Sequence, residues 1–389
     1  MHLKINVSWT LTALSAEQLT NSLPFLDEAV VNFSINTVEN YVEVNCSGHE
    51  ERVRERLESL IEKHRPLRKG DLVRIAFDQS ELPIPCRSDI FAELLVRGDV
   101  YEHSPGIFSL SGQVLQMYRT LDKHLLQFAE TQNARDTVLP ITTSLQTLNQ
   151  ADFFNRTPQF AQFMSNFRED SHAILNFAEG LRSSGDEFDF RSSLHVPRHM
   201  CRSAICLSSY PQFAGKTLSE SDFVSWTVIG KSFRNEASNV ASLERLYEFS
   251  MREIIYFGNR DFIAKRLTEC MSWFIDRMQE WGIQGVIQTA NDPFFAEKIQ
   301  ALQFYQLAEQ SKYEVRWNNP WTGNSVSVGS VNNHGSHFSK AYNIRLADGN
   351  LATTGCVGFG YERLIFLVLC QFGLDTASWP AELKEFWQL

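Results

Sequence analysis

The 389-residue sequence predicts an α+β protein, a larger unit of mixed strands and helices preceded by a small α+β domain. Two observations carry that reading. Period-2 runs that read as strands concentrate in the second half, and two of them, around Arg234 and Phe249, are close enough to form a hairpin. Helical stripes stand among them, at 114–129, at 262–278 and after Gly360. The length allows two or three domains, and 43% hydrophobic residues allow a sizeable core.

Taken in order, residues 1–75 read as the small domain. Residues 5–11 alternate like a strand, and Ser15-Ala16-Glu17-Gln18 suits a capping box for a helix reaching about Ala29. Residues 30–35 and 41–46 look like a strand pair. Val53, Leu57, Leu60 and Ile61 then put one apolar stripe on a helix, which Arg65-Pro66 and Lys69-Gly70-Asp71 end. Residues 76–89, with Pro83 and Pro85, read as a linker. The larger unit spans 90–389. Its long helix at 114–129 leads to a short strand, 138–140, stopped by Pro140. From Ser171 to Glu236 the texture is strand and loop, with a polar stretch at 183–187. Phe262, Leu267, Cys270, Met271, Phe274 and Met278 mark an amphipathic helix closed by Gly282. Short strands follow at 283–289, 312–318, 325–331 and 341–346, before the last apolar helix.

Composition excludes several classes. The longest apolar run, 364–370, is far short of a membrane span. No apolar region follows Met1-His2-Leu3-Lys4 as in a signal peptide. Seven scattered cysteines, an odd number, suit a reducing compartment, so a cytoplasmic location is expected. A net charge of −10 disfavours broad nonspecific nucleic-acid binding.

Three sets of residues carry chemistry. Ser232, Arg234 and Glu236 share one strand face by alternation, and Arg245, Tyr247, Phe249, Met251 and Glu253 share a face of the next. Phe249 and Glu253 are then roughly 13 Å apart along the strand. Next, Gly358-Phe359-Gly360 lets backbone approach a nucleotide, and Glu362-Arg363 opens an apolar helix whose dipole favours phosphate. Last, Cys206, Glu253 and Cys356 supply two thiolates and a carboxylate, a set that suits tetrahedral zinc with its fourth position open. Cys201 competes with Cys206 for the first place. The plain alternatives are an amphipathic hairpin with surface arginines, a glycine turn before a core helix, and buried structural thiols.

Phe233-Arg234-Asn235-Glu236 with Arg245 to Glu253 resembles motif 2 of class II aminoacyl-tRNA synthetases, and Cys356 to Leu364 resembles motif 3. The helix, strand and Pro140 resemble motif 1, which implies a homodimer. A cysteine before motif 3, with Cys206-Leu207-Ser208-Ser209-Tyr210-Pro211, is similar to two related groups: amino acid:carrier-protein ligases and methanogen-type seryl-tRNA synthetases. The resemblance covers about three quarters of the chain and implies a class II synthetase-like antiparallel sheet flanked by helices. It assigns Arg234 to the α-phosphate of ATP, Glu236 to the adenine amino group, Phe249 to stacking on the base, and Arg245 and Arg363 to the outer phosphates. It implies zinc on Cys206, Glu253 and Cys356, holding the amino group of the substrate amino acid. Asn332, His334 and His337, in Ser330 to Phe338, match a substrate-side strand of the ligases. The family's magnesium glutamate a few residues earlier has no counterpart in 325–329. The implied function is ATP-dependent activation of an amino acid and its transfer to the phosphopantetheine thiol of a carrier protein. The alternatives are transfer to tRNA, and a non-catalytic paralogue that binds an amino acid or adenylate.

Overall fold

The computed structural model describes residues 1–66, 73–86, 88–185, 188–295 and 299–389. The small domain contains β1 (His2–Asn6), α1 (Ala13–Ser22), β2 (Val30–Asn36), β3 (Tyr41–Cys46) and α2 (Glu50–Lys63). Its sheet has the order β1-β3-β2, and Leu3, Leu19, Val42, Val44, Val53 and Leu57 form its core. The stripe on α2 is as expected. The cap of α1 is not: Thr12, rather than Ser15, opens the helix, and Ser15 closes the capping box. The helix stops at Ser22 instead of running to Ala29. Pro24, which lacks an N–H to donate, follows in a single 3-10 turn. Lys69, Gly70 and Asp71 lie outside the described residues.

The rest follows in chain order. First come β4 (Ile75–Asp78), α3 (Ile90–Arg97), β5 (Val100–Ser104), β6 (Ile107–Leu110), α4 (Gly112–Thr131) and β7 (Arg135–Asp136). Then come β8 (Thr142–Ser144), α5 (Leu145–Gln150), β9 (Gln162–Met164), α6 (Ser171–Ser184), β10 (His199–Cys201) and β11 (Thr217–Leu218). The site-bearing part has β12 (Val224–Phe233), β13 (Glu248–Gly258), α7 (Arg260–Trp281), β14 (Val286–Thr289), α8 (Ile299–Ala308) and β15 (Lys312–Asn318). It ends with β16 (Ser325–Gly335), α9 (His337–Tyr342), β17 (Arg345–Leu346), β18 (Thr353–Gly360), α10 (Tyr361–Phe372) and α11 (Ala381–Trp387).

Eight strands form the main sheet, in the order β4-β14-β15-β16-β18-β13-β12-β7. Each neighbouring pair is antiparallel except β7 with β12. One face is covered by α4, α7 and α10. Helix α7 buries Ile263, Leu267, Cys270, Phe274, Met278 and Trp281, a stripe at three- and four-residue spacing. Phe274 stacks on Phe359 of β18 at 4.8 Å between centroids. Burying a side chain of that size contributes about 1.5–3 kcal/mol.

Several sequence expectations change here. The linker stretch begins inside β4, an edge strand of the main sheet. Residues 138–140 form no strand. The pairing stops at Asp136, and Val138 is 95% exposed. A helix, α6, occupies part of the stretch read as strand and loop, capped by Asp170 with none of its residues buried. Asp186 and Glu187 of the polar stretch lie outside the described residues. The strand expected at 341–346 resolves into the end of α9 and the two-residue β17.

Candidate active site

The other face of the main sheet is the floor of a cavity of about 850 Å³. Strand register explains which side chains line it. Glu253 on β13 lies opposite Gly358 on β18, and Gly358 lies opposite Ser330 on β16. One row further, Cys356 lies opposite Asn332, and Asn332 opposite Lys312 on β15. Side chains two apart share a face, so Phe249, Met251 and Glu253 all point to this floor. Gly358 keeps the floor open: a Cβ there would come within 2.9 Å of Met251 Cε.

At one end, the ligand atoms of Cys206, Glu253 and Cys356 lie within 4.8 Å of one another, and all three residues are buried. Cys206 sits in a short 3-10 turn whose amides aim at Glu253. Cys206 N–H donates to Oε2 at 2.8 Å, and Ile205 N–H donates to Oε1 at 3.2 Å. Burial raises the Glu253 carboxyl above its ordinary value, against those amides. The hydrogen bond with Cys356, then burial, pushes the Cys206 thiol well up. Cys356 is also raised: burial and the Glu253 charge outweigh its hydrogen bond with Cys206. A divalent cation would oppose all three upward shifts, since it favours the deprotonated form of each donor. Cys201, on β10, is not part of the group.

The Asn/His segment lies beside it. Asn332 Nδ2 is 3.6 Å from Cys356 Sγ. His334 Nε2 is 3.6 Å from the same sulfur, and its Nδ1 is 3.2 Å from the Tyr210 hydroxyl. Burial lowers His334 to about 3, so the ring is neutral. His337 reaches the Ala151 carbonyl and lines the cavity. Tyr210 stacks on Phe338 at 3.8 Å and backs the group.

The other end holds three arginines. Arg234 leaves β12 just past its end, donates through Nε to the Ser203 carbonyl at 3.1 Å, and sits 5.2 Å from the Phe249 ring. Arg245 pairs with Glu236 at 3.2 Å. Arg363, in the first turn of α10, donates to the Glu244 carbonyl and to the Ser327 carbonyl, the latter at 3.0 Å. Burial, with Arg245 and Arg234 near, pulls Arg363 down to about 10. Among the described residues only Arg245 of the three makes an ion pair, and such a group of cations fits a polyanion. The single strand face expected for Ser232, Arg234 and Glu236 does not form. Strand β12 ends at Phe233, and Glu236 opens a 3-10 turn at Ala237–Asn239. Arg245 and Tyr247 likewise precede β13 rather than lying on it.

Sequence reading missed a line of charges on β15. Lys312, Glu314 and Arg316 alternate with Tyr313, Val315 and Trp317, and all three are buried. Lys312 pairs with Asp292 at 2.7 Å and with Glu314 at 2.9 Å. Arg316 pairs with Glu314 at 2.6 Å. Alternating charges inside a central strand were the available signal. Glu314 is the carboxylate closest in register to the residues after 325, and it is already neutralised by these two cations. Arg202 was also missed. It is 1% exposed, donates to the carbonyls of Leu139, Pro140 and Lys231, and adds a positive charge near Glu253.

The fold is that of the class II aminoacyl-tRNA synthetases. The Methanopyrus kandleri SerRS in a complex with tRNASec superposes with a TM-score of 0.72 at 18% identity, covering 99% of this chain and 77% of that one. A Cryptosporidium parvum prolyl-tRNA synthetase gives 0.56 at 15% identity, covering 77% and 54%. In sequence, the chain is a homologue of two groups. Amino acid–[acyl-carrier-protein] ligase 1 of Bradyrhizobium diazoefficiens is 28% identical over 51% of this chain and 60% of its own length. The type-2 serine–tRNA ligase of Methanothermobacter thermautotrophicus is 31% identical over 40% of this chain and 31% of its own. The match thus spans less than two thirds of either relative. No family model matches the chain.

Proposed function

We propose that the protein is an amino acid ligase that forms an aminoacyl-adenylate and passes the aminoacyl group to the phosphopantetheine thiol of a carrier protein. One observation supports this most: the Cys206, Glu253 and Cys356 group and the three arginines line one continuous cavity. The donor set of two thiols and a carboxylate fits zinc. A zinc ion held there would offer an open position to the substrate's α-amino group.

The chain's own residues then do two things. They hold the amino acid carboxylate against the α-phosphorus of ATP, and they stabilise the charge that leaves with pyrophosphate. Arg234 would contact the α-phosphate, and Arg245 and Arg363 the outer phosphates. Arg245 would exchange its ion pair with Glu236 for phosphate, freeing Glu236 for the adenine amino group. Phe249 would stack on the base. Asn332, His334 and His337 would line the amino-acid end. In the second step the carrier thiol attacks the acyl carbon and AMP leaves, with no side-chain nucleophile. Magnesium would accompany ATP. A homodimer through α4 and residues 135–141, where Val138 and Ile141 are exposed, fits the motif 1 likeness.

The second reading, transfer to tRNA, is favoured by one observation. The likeness to the tRNA-bound SerRS covers nearly the whole chain, small domain included. The experiment is amino-acid-dependent exchange of labelled pyrophosphate into ATP, followed by charging with phosphopantetheinylated carrier protein beside tRNA. Exchange is expected, with the label on the carrier. Label on tRNA alone would move the reading to the second, and no exchange with any amino acid would leave a binding paralogue. Among the described residues no helix is long and apolar enough to cross a membrane.

A further inference from the structure

The small domain is pressed against the nucleotide end of the cavity. Helix α1 presents Glu17 and Asn21, four residues apart on one helical face, and both line the cavity. Glu17 Oε1 pairs with Arg316 at 2.8 Å, and its side chain keeps 28% exposure. Arg316 is 5% exposed and ties back to Ser325 on β16 through Nε at 3.3 Å. Glu17 also lies within the electrostatic reach of Arg245. One turn along, the Thr20 carbonyl accepts from Asn239 Nδ2 at 2.9 Å, on the loop between Glu236 and Arg245. So the same helix touches the loop that carries one phosphate-side arginine and, through Arg316 on β15, is tied to β16, the strand that anchors Arg363.

We infer that the small domain is the wall of the nucleotide site, with Glu17 and Asn21 as ATP-positioning residues, rather than a docking arm for the acyl acceptor. This rests on the ligase reading. Glu17 pairs with Arg316, which ties to the start of β16, and the carboxylate oxygen not used by Arg316 would serve the cavity as an acceptor. Such an acceptor suits a ribose hydroxyl or a water on the cation carried by ATP. A polar i, i+4 pair turned into a cavity from a separate domain would serve no purpose in the domain's own core, whose apolar residues lie on the other side of α1.

The test is calorimetric titration of the full chain with ATP and magnesium, alongside pyrophosphate exchange, for the wild type, Glu17→Gln, Asn21→Ala and Gln300→Ala. Gln300 joins the two domains through the Glu62 carbonyl but does not line the cavity. Glu17→Gln should bind ATP roughly tenfold more weakly, the scale of one lost charged hydrogen bond. Its KM for ATP should rise in parallel, with KM for the amino acid and zinc content unchanged. Asn21→Ala should shift the same way and less, and Gln300→Ala should change melting temperature alone. Wild-type binding with unchanged or tighter affinity in Glu17→Gln overturns the inference and spares the ligase reading. No ATP binding by the wild type overturns both.

Discussion

The two ends of the cavity are built in opposite ways. The Cys206, Glu253 and Cys356 end is set by strand register and two backbone amides. Its partners are at hydrogen-bonding distance, and its geometry needs no ligand to define it. At the arginine end Arg234 and Arg245 stand on loop positions and Arg363 in the first turn of α10. Arg234 and Arg363 rest on carbonyls, Arg245 has one counter-ion, and Arg363 is held below its ordinary basicity by burial and by its neighbours. One end is complete in itself. The other gathers three arginines whose mutual repulsion a triphosphate would relieve in the proposed reaction. Pre-placed charge of that kind needs little reorganisation when pyrophosphate departs.

The contrast is sharpest in substitutions that should fail differently. Cys356→Ser should lose stoichiometric zinc, and exchange should fall by roughly 10³ or more, as for groups that act as a unit. Metal analysis that finds full zinc retention in this variant would sink the site. Arg363→Ala should leave zinc in place and depress the turnover of exchange by roughly 10²–10³. If turnover stayed intact, the nucleotide would not lie across the start of α10, and the comparison of the two ends would collapse. Phe249→Ala is milder, because the base does not react. Loss of a base–aromatic stack is on the order of 1–3 kcal/mol, read as a raised KM for ATP. Phe249 also packs on Arg234, so a modest loss of turnover should accompany it. A KM for ATP unchanged by the substitution would place the adenine elsewhere.

The two ends also differ in how much of them was legible. The cysteines and Glu253 could be picked out because few residue types make a zinc ligand, and Glu253 and Cys356 sit on regular strands. The glycines and Arg363 at the start of α10 announced themselves by the apolar run that follows. Period-2 reasoning failed at Glu236 and Arg245, since it assumes a strand that had already ended. The charges of β15 were hidden for another reason. Buried Lys312, Glu314 and Arg316 look like a solvated edge until their partners, Asp292 and Glu17, are brought in from distant segments. Helix α6 was missed because none of its residues is fully buried, although Phe177 packs on Phe167 and Phe190 and Asp170 supplies an N-cap. The limits of α1 turned on Pro24, a local signal that was present and not weighed.

The remaining predicted effect, on stability rather than catalysis, lies at the seam beside the arginine end. His64 closes α2 and is 2% exposed, wedged against the larger unit at Gln303. The Ser22 hydroxyl gives its proton to the Gln18 carbonyl, so it accepts from His64 Nε2 at 3.1 Å. Gln303 Nε2, which can only donate, faces Nδ1 at 3.4 Å. Both ring nitrogens are thus satisfied by the neutral form, and a second proton would point at the Gln303 amide nitrogen. Burial, with Lys63 adding, lowers His64 from 6.5 to about 4. The unfolded chain therefore binds the proton more readily between those values. Stability from the neutral ring is complete above pH 6.5, falls as pH drops from 6.5 to 4, and levels off below. The full span is about 3 kcal/mol. Melting temperatures at pH 7.5 and pH 4.5 should separate the wild type from His64→Gln, with the variant losing less on acidification. Equal losses in both would mean that the ring does not titrate at this seam. The small domain would then be joined to the cavity by its ion pair and hydrogen bonds alone.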